Sequence, residues 1–81
     1  MKKIIKDDFN RLLKKYKTLS AEKFEIEHEI LKSYESLIVD NTITINSETL
    51  TTIESQRKRL NTVNQEMKKT DKKILKMFKN N

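Results

Sequence analysis

The chain contains neither glycine nor proline, and that double absence limits its architecture more than any motif does. Glycine takes up positive φ at no steric cost, so tight turns, bulges and phosphate-cradling loops lean on it. Proline presets the φ of turns and stops helices. A polypeptide of 81 residues with neither has few means of making sharp corners, and long helices suit it. The composition agrees, with 37% charged and only 6% aromatic residues, the balance of long helices and coiled coils.

The apolar spacing says the same more locally. Ile5, Phe9, Leu12, Tyr16, Leu19, Lys23, Ile26, Ile30, Ser33 and Leu37 follow one another in alternating steps of four and three, and eight of these ten positions are apolar. That is the coiled-coil period, sustained over more than four heptads. Ser20 could cap a new helix, but the series crosses it without a phase shift, so one continuous helix from about residue 3 to 39 is expected. Phe24, Leu31, Tyr34 and Ile38 form a second apolar stripe beside the first. One neighbouring helix cannot cover both stripes, which places this segment in a bundle of three or more helices.

Residues 40–46 (Asp-Asn-Thr-Ile-Thr-Ile-Asn) gather β-branched and side-chain-bonding residues, all poor helix formers. A connection is expected here. Thr42–Ile45 could be extended, but four residues with no pairing partner make a poor strand. Asn46 or Ser47 is placed to cap a second helix over about 47–79, with Glu48 in its first turn. That helix carries Leu50, Ile53, Leu60, Val63, Met67, Ile74, Met77 and Phe78, and Gln56 and Thr70 complete its three-four spacing as polar insertions. Each helix would be roughly 50 Å long. Two equal helices around one weak segment predict an all-α fold: an antiparallel helical hairpin, a single domain over 1–81, assembling into a multi-helix bundle.

Size favours that assembly. A chain this short buries only about 60–65% of its unfolded surface, and small domains usually add disulfides, a metal or a partner. There is no cysteine, and His28 is the one histidine, so neither a disulfide nor a zinc site is expected. A second copy or another protein remains.

Charge is unevenly distributed. Residues 1–17 hold seven basic and two acidic side chains, and residues 68–81 hold six lysines and one acid, so each end carries +5. Residues 18–67 hold five basic and nine acidic groups, a net −4. A hairpin brings the two basic ends together, giving a positive open end and a mildly acidic loop half. An anionic partner, or the acidic half of a second copy laid antiparallel, would offset the repulsion. The candidate contacts for an anionic partner are Lys2, Lys3, Lys14, Lys15, Lys68, Lys69, Lys72 and Lys73. Nucleic acid is the second partner class that this charge admits. Fifteen lysines against three arginines favour diffuse attraction over base reading. A membrane surface ranks below both, because Ile4, Ile5, Ile74, Leu75, Met77 and Phe78 are needed for packing.

No catalytic constellation is visible. Glu25, Glu27 and Glu29 alternate along a helix and so point in different directions. No glycine-rich loop, nucleophile elbow or metal-ligand spacing occurs. No enzyme activity, cofactor or small-molecule substrate is expected. The longest apolar run, Leu37-Ile38-Val39, is far too short to span a membrane. Lys6-Asp7-Asp8 interrupts the secretory-like start, so no signal peptide is expected and a cytoplasmic location is assumed.

Within residues 50–77, Ile53, Leu60, Val63, Met67, Thr70, Ile74 and Met77 keep three-four spacing around Gln56, with Thr42, Asn46 and Thr49 in the upstream positions. This stretch resembles the helical motif of Q-type SNARE proteins, in which a glutamine layer lies between apolar layers. The resemblance implies Gln56 as a polar core layer, a four-helix membrane-fusion bundle, and a chain that stays extended when alone. The residues themselves point to a non-enzymatic protein–protein interaction module, acting as adaptor, inhibitor, chaperone or assembly factor, whose partner interface is Phe24, Leu31, Tyr34 and Ile38.

Overall fold

The computed structural model describes residues 6–79. They form an all-α helical hairpin in which helix α1 (Lys6–Glu35) packs antiparallel against helix α2 (Ser47–Lys79). A two-stranded ribbon at the tip joins them, strand β1 (Ile38–Val39) pairing with strand β2 (Thr42–Ile43). The molecule is a rod of 64 × 15 × 15 Å.

Helix α1 runs unbroken past Ser20, as the heptad phase requires. Asp7 and Asp8 lie in its first turn and Lys32 in its last, where each charge complements the helix dipole. The helix stops at Glu35, earlier than the expected boundary near residue 39. The Ser36 amide still donates to the Lys32 carbonyl at 3.0 Å, but the Leu37 amide reaches back only to Tyr34, at 3.1 Å. That three-residue closure tightens the last turn. Ser36 Oγ donates to the Ser33 carbonyl at 2.7 Å, and β-branched Ile38 and Val39 then favour extended backbone.

The corner is the clearest departure from expectation. Thr42–Ile43 does find a strand partner, namely Ile38–Val39, in the register Ile38 opposite Ile43 and Val39 opposite Thr42. The Thr44 amide extends this pairing to the Leu37 carbonyl at 2.7 Å. The two linking residues, Asp40 and Asn41, have φ of 49° and 62°. Positive φ at both central positions defines the type I′ turn, whose twist matches a hairpin. Asp and Asn are the side chains that best tolerate this region when glycine is absent.

Asn46 caps α2. Its Oδ1 accepts from the Glu48 amide at 2.9 Å and the Thr49 amide at 3.4 Å, and its carbonyl accepts the first helical bond, from Leu50, at 3.0 Å. The threonines of α2 that would otherwise compete with the helix are absorbed into it. Thr51, Thr52, Thr62 and Thr70 each donate to the carbonyl four residues back.

The core is a single seam. Among the described residues Ile26, Ile53, Val63 and Thr70 are buried. Phe9, Leu12, Tyr16, Leu19 and Ile30 of α1 and Leu60, Met67, Ile74 and Met77 of α2 flank them half-buried. Every one of these α1 residues lies on the four-three series, which is why one stripe suffices to build the hairpin. At the open end Phe9 and Phe78 meet edge to face, with ring centroids 5.8 Å apart. Toward the tip the seam turns polar, and Ser33 Oγ donates to Gln56 Oε1 at 3.2 Å across the helices.

Candidate partner interface

The second apolar stripe is left outside. Phe24 is 75% exposed and Leu31 53%. They stand seven residues apart, two turns along the same face of α1. Glu27 and His28 fill the turn between them, and the four side chains line a shallow groove of about 330 Å³. None of the four is buried by α2. The rod exposes 6874 Å² in all, whereas a compact monomer of this mass exposes roughly 5,100 Å². An elongated two-helix hairpin therefore carries more open surface than its length needs.

Tyr34 and Ile38 lie differently from Phe24 and Leu31. Tyr34 is in the last turn of α1 and is drawn toward α2, because its hydroxyl accepts from Arg57 Nη2 at 2.7 Å. The same guanidinium stands 6.0 Å from the ring centroid, within range of a cation–π contact. Ile38 does not continue the helical stripe, since the chain has already left the helix. It faces solvent from β1 instead. The expected four-residue helical interface is thus two residues on a helix, one at its end and one on the ribbon.

The ribbon adds apolar residues that the helical periodicity missed. Val39, Ile43 and Ile45 are all exposed, Ile45 at 77%. Opposed residues of a pair project to the same face and successive ones alternate, so Ile38 and Ile43 share one face of the ribbon and Val39 and Thr42 the other. The signal was the six-residue run Ile-Val-Asp-Asn-Thr-Ile, a turn-forming pair between β-branched residues. Acidic Glu35, Asp40 and Glu48 surround this tip, and residues 33–50 hold no basic side chain.

The opposite end is basic. Lys14, Lys15, Lys68, Lys69, Lys72 and Lys73 are all exposed, while Lys2 and Lys3 lie outside the described residues. Glu66 partly neutralises the group, lying 3.8 Å from both Lys15 and Lys69. Lys14, Lys68, Lys72 and Lys73 make no ion pair among the described residues. Leu75 and Phe78, each about half exposed, lie among these lysines. Gln56, placed by its spacing as a polar core layer, is half-buried and faces Ser33.

Among the described residues, no helix is long and apolar enough to cross a membrane and no three acidic or histidine side chains are grouped to hold a metal ion. Comparison of the chain with protein-family models, with curated proteins and with solved structures finds no match.

Proposed function

We propose that this chain is a non-enzymatic interaction module that works by packing helices, and that the outer face of α1 is its docking surface. One observation carries the reading. Phe24 and Leu31 stand exposed two turns apart around a groove, on a hairpin whose own seam is complete without them. An amphipathic helix placed in such a groove is recognised through anchors at this spacing. The test is a Phe24→Asp/Leu31→Asp double variant. It should keep the native helix content by circular dichroism, because neither residue supports the seam, and lose the proteins that copurify with the native chain. Unchanged copurification would overturn the reading.

The open end supports a second reading, attraction to nucleic acid. Lys68, Lys69, Lys72 and Lys73 project from one end of α2 beside Lys14 and Lys15 of α1, and phosphate neutralisation by such a group is strongly salt-dependent. A generic duplex bound at low salt and released as salt rises would support it. No binding at low salt would remove it. The resemblance of residues 50–77 to the Q-type SNARE motif suggests a third use, in which Gln56 would join a four-helix layer. Here Ser33 already bonds that amide from within the chain. Cooperative melting of the isolated protein would count against the third reading.

A further inference from the structure

We infer that the occupant of the α1 groove is the α1 groove of a second copy, laid antiparallel about a two-fold axis that passes between Glu27 and His28. This rests on the reading of that face as an interface, and it deepens that reading by naming the partner. The groove is self-complementary. Its two apolar side chains, Phe24 and Leu31, lie symmetrically on either side of Glu27 and His28, so an antiparallel copy sets each Phe24 against the other chain's Leu31. A two-fold interface demands this, since the same patch must serve both partners. Edge to edge, the same register places small Ala21 opposite bulky Tyr34 and Ser20 opposite Glu35.

Charge selects the antiparallel direction. At about 1.5 Å per residue, the α1 end of one chain comes level with Ser20 of the other, and its tip reaches past that point toward Lys17 and Lys14. Glu35 and Asp40 of the acidic tip, where residues 33–50 carry no basic group, then lie alongside Lys14 and Lys17. Lys14 and Lys17 are exposed. A parallel pairing would instead superimpose basic end on basic end and acidic tip on acidic tip. Glu27 of one copy also meets His28 of the other at the axis, in place of a like pair.

The chain has no cysteine, so single cysteines introduced along the face report the arrangement directly. His28→Cys lies beside the axis and should form an intermolecular disulfide on mild oxidation, because a residue there comes within bridging range of its own copy. Ser20→Cys stands roughly 20 Å from its own copy in the antiparallel pair and should not bridge to itself. Mixed with Glu35→Cys chains, it should bridge to those. In sedimentation the native chain should show twice its 9.7 kDa mass, and Phe24→Asp/Leu31→Asp should weaken the association on the order of a hundredfold. Self-bridging of Ser20→Cys would overturn the antiparallel register. So would a native mass of one chain from micromolar to millimolar concentration. If the chain is a monomer and the double variant still loses a foreign partner, the self-pairing falls and the interface reading stands. If the chain is a monomer and the double variant loses nothing, both fall.

Discussion

At the residue scale, very few side chains hold this molecule together, so each should matter. Ile26 is 1% exposed at the centre of the seam. Truncation to alanine removes its transfer energy and leaves a cavity, at a cost of about 2–5 kcal/mol. With so thin a core, Ile26→Ala should abolish cooperative melting at room temperature, read by the circular dichroism thermal profile. Thr70 is equally buried, but its hydroxyl is spent on the Glu66 carbonyl of its own helix. That carbonyl also has its place in the helix ladder. Thr70→Val therefore leaves no orphaned group and should change stability by less than about 1 kcal/mol, on either side of zero. Asn41 sits at φ 62°, where a β-branched residue is strained by roughly 1–2 kcal/mol. Asn41→Val should lower the melting temperature accordingly, whereas Asn41→Gly should hold or raise it.

At the scale of elements, the two helix ends at the tip are held in opposite ways. Helix α2 begins with a cap, and removing it by Asn46→Ala should cost about 1 kcal/mol, measurable by urea titration. Helix α1 ends because residues after Glu35 gain more from the strand than from another turn. The expected α1 boundary near residue 39 overran for a definite reason. Leu37 and Ile38 fit the helical stripes by spacing, and periodicity alone does not see that Ile38–Val39 and Thr42–Ile43 can pair. Judging Thr42–Ile45 by itself removed its partner from view. Asp40-Asn41 likewise did without glycine what glycine usually does, so the missing glycines constrained the corner less than they suggested. What the spacing did make legible was the seam, since the four-three series names the α1 residues that pack, including the polar Ser33 opposite Gln56.

At the scale of the whole molecule, charge opposes the fold as much as it helps. The described ion pairs (Arg11–Asp8, Lys15–Glu66, Arg59–Glu29 and Lys69–Glu66) all lie at the surface, where each contributes about 0–1 kcal/mol. Folding meanwhile draws together residues 6–17, with five basic and two acidic groups, and residues 68–79, with six lysines and one acid. Screening reaches about 10 Å at 0.1 M salt and shortens further above that. Added sodium chloride should therefore raise the melting temperature, and a fall would mean that the surface pairs dominate. Reversing part of the repulsion, with Lys72→Glu/Lys73→Glu, should raise stability at low salt and flatten its salt dependence.

By itself the sequence determined a hairpin of two long helices, because the three-four apolar period and poor helix formers at residues 40–46 are local properties that each segment carries without the other. It also determined that Phe24 and Leu31 lie off the seam, since that follows from angular position around one helix. Only the tertiary structure decided where α1 stops, that a ribbon turns the corner, that Arg57 takes hold of Tyr34, and that Ile38 pairs with Ile43 at the tip. The Arg57–Tyr34 contact joins segments 23 residues apart and exists only once the helices pack, whereas the ribbon and the end of α1 depend on the pairing of residues 38–39 with 42–43, which the periodicity of either helix does not carry.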